Sequence, residues 1–298
     1  MNNYLKSAIS TIYGEDDDFI LLGLTGRTGS GCSTVANILK SKKEDVNHSL
    51  YSGNNPSENI ERKELIIRRH FQDTWSPFSL IQVRSILTLL LSECGVKKAV
   101  AYVKENSLIV DRDKINEFSG YLEIIIQEKE KINTSDKNEY NKFYTTDLPN
   151  ICDDIKKSIG ESVFVQLYQK IGTNIRMSGN PTIETLVDGK FFTLADKING
   201  IVKDIRDENK NNKRTLVVVD AIRNPLEAIY FQERYAAFFL VAVSCSDEDR
   251  KKRLRNLGYA ENDICTLDDQ EYKSRDLKDE STYSIQDIRS CLERADLY

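Results

Sequence analysis

The chain is poor in histidine, has no C-x-x-C pair and contains no long apolar run. Its two histidines, His48 and His70, and its six scattered cysteines offer no spacing that a zinc site uses. Cys32, Cys94, Cys152, Cys245, Cys265 and Cys291 lie 20 residues or more apart, which makes a disulfide scaffold improbable at this length. Most of them are expected to be small core residues, with Cys32 the exception. No stretch approaches the roughly 20 apolar residues that span a bilayer. The opening MNNYLKSAISTIYGEDDD lacks the apolar core of a secretory leader. A water-soluble, cytoplasmic protein without a membrane partner is expected. Basic surplus is also missing: 42 Lys and Arg against 47 Asp and Glu give a net charge of −5. That argues against a dedicated nucleic-acid binder and leaves room for a local basic pocket.

What is present is an alternation of buried-strand and helix signals over 298 residues. Phe19–Leu24 is a continuous apolar run of the kind that is buried on both faces of a parallel sheet. It enters a glycine-rich turn, after which Val35, Ile38 and Leu39 recur at helical spacing. Residues 41–64 read as an exposed polar loop or insertion. Helical periodicity is expected over 77–91 and again over 151–171, and 103–148 reads as a helical insertion. Thr215–Val219 and Phe238–Val243 are further buried strands, separated by a helix from Pro225 to Tyr235. Asp247 is placed to cap the basic helix that follows. Strands alternating with helices predict an α/β fold with a doubly wound, mainly parallel sheet and helical insertions. One domain is expected over 1–298. Its core covers about 15–50 and 150–260, the insertion 51–149, and a lid and linker segment 261–298.

The turn itself carries the chemistry. Gly26, Arg27, Thr28, Gly29, Ser30, Gly31, Cys32, Ser33 and Thr34 fit the P-loop template G-x-x-x-x-G-K-[ST] except that Cys32 stands where the lysine belongs. Glycines let successive N–H groups face an anion, and the following helix adds its positive end. Ser33 sits where the hydroxyl ligates Mg²⁺. Asp220 ends an apolar strand as a Walker-B acid does, at the carboxyl edge where open α/β sheets bind ligands; a strand-end turn or helix cap is the plain alternative. A neutral thiol cannot supply the missing ammonium charge, a loss that bears more on phosphoryl transfer than on docking. Arg223 either faces the cleft or makes a surface salt bridge. Arg84 and Arg176 are candidates for a second phosphate contact. Arg250 and Arg253 are either a phosphate-clamping lid or a solvated helix face. A lone tryptophan such as Trp75 is more often packing than a base-stacking platform, and His70 reads as structural or surface.

The stretch from Leu22 to Ala36 resembles the opening of dephospho-CoA-kinase-like and nucleoside-monophosphate-kinase-like proteins. Val219–Ala228, Phe238–Val243 and Asp249–Arg253 add a resemblance to the N-terminal kinase-like P-loop domain of the bacterial deoxycytidylate-deaminase-related proteins of anti-phage defence. Weaker matches run through Trp75–Phe78, Ile81, Arg84 and Gln169–Arg176, and Gln286–Asp296 resembles the linker before the deaminase domain. The resemblance implies a P-loop NTPase fold binding a nucleoside triphosphate with Mg²⁺, held by Ser33 and Asp220. It implies a regulatory role, in which the domain senses nucleotides and controls an attached or partner deaminase module. The deaminase signature, H-x-E with P-C-x-x-C, is absent from this chain, so no zinc is expected in it. An active nucleotide or dephospho-CoA-like kinase is the alternative, and an oligomerising or inhibitor-receiving module with a vestigial loop is a third. Homo-oligomers and an inhibitory RNA remain open as partners, though the acidic balance disfavours extensive RNA contact.

Overall fold

The computed structural model describes residues 19–46, 53, 55–106, 108–133, 136–209, 214–272 and 285–298. His48 and the opening stretch lie outside them. The chain is an α/β protein built on a four-stranded, all-parallel sheet with the order β2-β3-β1-β4. The strands are β1 (Phe19–Thr25), β2 (Ser79–Gln82), β3 (Thr215–Asp220) and β4 (Phe238–Ala242). Around them lie thirteen α-helices among the described residues. The first four are α1 (Cys32–Lys40), α2 (Asn59–Thr74), α3 (Val83–Glu93) and α4 (Val96–Glu105). Then come α5 (Arg112–Lys131), α6 (Lys137–Lys142), α7 (Leu148–Ile159), α8 (Glu161–Ser178) and α9 (Thr193–Glu208). The last four are α10 (Pro225–Arg234), α11 (Asp247–Asn256), α12 (Glu261–Tyr272) and α13 (Ile288–Glu293).

Helical and loop segments pack on both faces of the sheet, which is why the centres of its strands are apolar. Leu24, Leu80 and Val218 pack with Ala36 of α1 on one face. Leu21, Ile81, Val217, Val219 and Leu240 join the larger helical core on the other. Neighbouring residues Leu80 and Ile81 thus serve opposite faces, the period-two signature of a strand. This explains the departure at 77–91: its first part is β2, and the helix starts only at Val83. The expected helix over 151–171 is two helices, interrupted at Gly160, whose φ of 97° no helix accommodates. The polar stretch 41–64 ends inside α2, whose first turn is fixed by the Glu61 carboxylate accepting from the Glu58 and Ser57 amides. Ser246 caps α11 by accepting from the Asp249 amide, so Asp247 lies in the first turn instead. α9 had no counterpart in the sequence reading. The expected helical insertion over 103–148 is helical, with a π turn at Phe143–Asp147.

The register fixes the site. Leu24 of β1 stands beside Asp220 of β3, and Thr25 beside Ala242 of β4. Because all four strands run the same way, the glycine turn, Asp220 and the segment after β4 emerge together at one edge. The segment that resembles a linker folds back on the sheet. Ile288 and Cys291 are buried, and Leu240 and Ala242 donate their amides to Asp296 and Leu297.

Candidate functional site

The turn from Gly26 to Gly31 is shaped by glycine where nothing else fits. A Cβ on Gly26 would stand 2.4 Å from the Val243 carbonyl oxygen and 2.6 Å from Ser30 Oγ. Gly29 and Gly31 have φ values of 85° and 113°, conformations costly for any residue with a Cβ. The result is that α1 begins abruptly. Gly31, Cys32, Ser33 and Thr34 supply its first four N–H groups, which have no acceptor within the helix, and among the described residues no side chain caps them. All four residues line a cavity of about 340 Å³.

Ser33 and Asp220 meet at this edge as the sequence predicts, with Ser33 Oγ donating to Asp220 Oδ2 at 2.9 Å. Burial raises the Asp220 pKa, against the Ser33 hydrogen bond and the charges of Arg84, Arg223 and Lys156. The Cys32 thiol is buried among the apolar residues between α1 and the sheet. Burial raises its pKa too, outweighing the opposing pull of Arg223 and the contact with Ser30, so it stays a neutral thiol.

Six cationic side chains line the cavity: Arg27, Arg84, Lys156, Arg176, Arg223 and Arg253. Glu161 and Asp220 are the carboxylates in its wall. Arg84 pairs with Asp153 at 2.7 Å, and Lys156 with Glu161 at 2.6 Å. Arg27 pairs with Asp247 at 3.0 Å and with Asp268 at 2.5 Å. Among the described residues Arg253 donates only to neutral groups, the Gly29 and Ser30 carbonyls and Cys245 Sγ. Arg176 is 3% exposed and its Nε donates to Glu227 at 2.7 Å, yet its Nη1 has no partner among the described residues. Arg250 is not in the cavity wall. It is buried and ties the Thr28 carbonyl to Asp247 and Asp268, fastening α11 and α12 to the turn.

Glu271, on α12, was missed by sequence reasoning and is the most consequential neighbour of the turn. Its fully buried carboxylate accepts from the Thr28 amide at 3.0 Å, from Thr28 Oγ1 at 2.5 Å and from Arg223 Nη1 at 2.9 Å. The turn therefore already holds an anion, supplied by the chain itself. Burial works against the Arg223 charge, but Glu271 and Asp220 outweigh it and hold the guanidinium pKa above its ordinary value. No sequence signal marks Glu271, Lys156 or Glu161, because each is placed by tertiary packing. The Phe164–Tyr168 pair, stacked at 4.0 Å in the cavity wall, was detectable as two aromatics one helical turn apart.

Trp75 lies outside the cavity, its indole donating to the Ser41 carbonyl and its ring packed on Phe71. His70 is exposed. Among the described residues no helix is long and apolar enough to cross a membrane, and no group of three or more His, Cys, Asp or Glu side chains is placed to hold a metal. A cation at this edge would rest on the hard-oxygen pair Ser33 and Asp220 together with a ligand's own oxygens. No family model, no curated protein and no solved structure matches the chain.

Proposed function

We propose that this protein binds a nucleoside phosphate at the glycine turn, as a kinase-like P-loop domain whose ligand state controls a deaminase module attached to it or partnering it. One observation carries the binding reading. The four capless amides of α1 open, beside the Ser33–Asp220 pair, into a cavity with six cationic side chains. Backbone amides at a helix start hold phosphate without a lysine. The unpartnered Nη1 of buried Arg176 is a second, independent sign that an anionic or acceptor-rich ligand completes this cavity.

The residues take distinct roles. The Gly31–Thr34 amides orient the phosphate oxygens, and Arg223 supplies from the β3 edge the charge that Cys32 does not. Mg²⁺, when bound with a triphosphate, supplies charge neutralisation between phosphates, and Ser33 Oγ with the Asp220 carboxylate would hold it. The apolar side of the cavity, from Leu87, Val165 and Leu254, excludes water from the bound ligand. The deaminase connection rests on sequence resemblance.

A kinase reading, in which a terminal phosphoryl group passes to an acceptor, is favoured by the cavity extending beyond the turn between α3, α7 and α8. The test is a thermal-shift panel of ribo- and deoxynucleoside mono- and triphosphates with Mg²⁺, since a ligand selective for the folded state raises the melting temperature. A shift without turnover supports the regulatory reading. Turnover that disappears in Asp220→Asn supports the kinase. No shift with any of them overturns both.

A further inference from the structure

Among the described residues the cavity wall contains one side chain with both hydrogen-bonding groups unmet. Gln169, on α8, has neither a donor for its Oε1 nor an acceptor for its Nε2 among the described residues, although both atoms are shut off from solvent. Buried polar groups without partners are uncommon, and two on one amide call for an explanation. Seven residues further along α8, on the same face, Arg176 Nη1 is also buried and has no partner among the described residues. The Arg176 side chain folds back along α8 over Gly172, which brings its Nη1 to about one helical turn, ~5 Å of rise, from the Gln169 position. Gly172 lies between them, and a Cβ there would press on Arg176 Nη1 at 3.2 Å and reach Leu87 at 3.6 Å. The stacked rings of Phe164 and Tyr168 give this end of the cavity an aromatic wall, with Val83 also lining it. A planar amide presents a donor and an acceptor side by side, the complement of the adjacent donor and acceptor on a nucleobase edge.

We propose that Gln169 is the base-reading residue of the cavity. A nucleoside monophosphate lies along α8 with its base edge on the Gln169 amide and its phosphate toward Arg176. The proposal rests on the nucleotide-site reading above and names the ligand part that selects among phosphates. Phosphate esters without a base leave the Gln169 amide unmet and bind more weakly.

The test measures binding of ribo- and 2′-deoxynucleoside monophosphates, of 2-deoxyribose 5-phosphate and of tripolyphosphate to the full chain and to Gln169→Leu. At least one monophosphate should bind the unaltered protein about tenfold or more tighter than 2-deoxyribose 5-phosphate. Gln169→Leu should lose about that factor for the preferred monophosphate, and it should raise the melting temperature of the free protein by removing two unmet polar atoms. Gln169→Glu, similar in size but without the donor, should lose binding to the same ligand. Equal binding of esters with and without a base overturns the proposal, as does undiminished monophosphate binding by both variants. Tripolyphosphate separates the two readings. If it binds while no base is preferred, only the base subsite fails; if neither it nor any monophosphate binds, the nucleotide site fails with it.

Discussion

Glu271 makes a quantitative demand on the account. Its carboxylate occupies donors that a phosphate would use, the Thr28 amide and hydroxyl and the Arg223 guanidinium. Glu271→Gln keeps one acceptor oxygen and removes the charge. A charge-assisted hydrogen bond to a buried group contributes about 1.5–3 kcal/mol, and the cost of burying the carboxylate offsets part of the total. A net loss of about 1–3 kcal/mol in the free protein is expected, or about 2–4 °C of melting temperature for each kcal/mol at this size. If phosphate must displace Glu271 to bind, the same free energy reappears as affinity. Glu271→Gln should then bind tripolyphosphate about tenfold tighter, ~1.4 kcal/mol, and the phosphate-saturated variant should melt where the saturated parent does. The assay is calorimetric titration paired with thermal denaturation, with and without saturating tripolyphosphate. A variant that is destabilised in both states and binds no tighter would refute the competition and leave Glu271 as a fastener of α12.

Other consequences follow from the same edge. Burial raises the Asp220 pKa, so the folded carboxyl keeps its proton to higher pH than the unfolded one. The stability of the free protein should therefore fall as pH rises from the ordinary carboxylate range through the raised value. Asp220→Asn should flatten that slope and raise the melting temperature above it, and it should abolish any Mg²⁺ enhancement of triphosphate binding; pH-dependent thermal denaturation and titration check both. Arg176→Ala leaves the buried Glu227 carboxylate unpaired and should cost about 3–5 kcal/mol, whereas Arg176→Ala with Glu227→Gln should recover part of it. Denaturant unfolding of the two variants measures the coupling, and strict additivity would contradict a direct pair.

The parts of the site legible in the sequence are those fixed by local chain chemistry. Gly26, Gly29 and Gly31 stand out in the sequence, and their conformations and close approaches leave little room for a side chain. Ser33 and Asp220 are brought together as expected, because parallel register places the ends of β1 and β3 side by side. β2 was hidden because its only two apolar residues, Leu80 and Ile81, run into the helix and carry no distinct period, and their division between the two sheet faces is visible only in the fold. Gly160 was overlooked as a break because helical spacing continues on both sides of it. The arginines show the limit most clearly. Sequence marks them as cations and cannot tell that Arg250 fastens α11 and α12 to the turn, or that Arg223 is held by a carboxylate 48 residues away in the chain. Gln169 gave no chemical signal, since an unmet amide is a property of its surroundings.

The most direct measurement is a titration of isotopically labelled protein with tripolyphosphate, following each backbone amide by nuclear magnetic resonance. The largest shifts are expected at Gly31, Cys32, Ser33 and Thr34, with Thr28 responding as Glu271 departs. Binding that shifts other amides while these stay in place, or no binding at all, would contradict it.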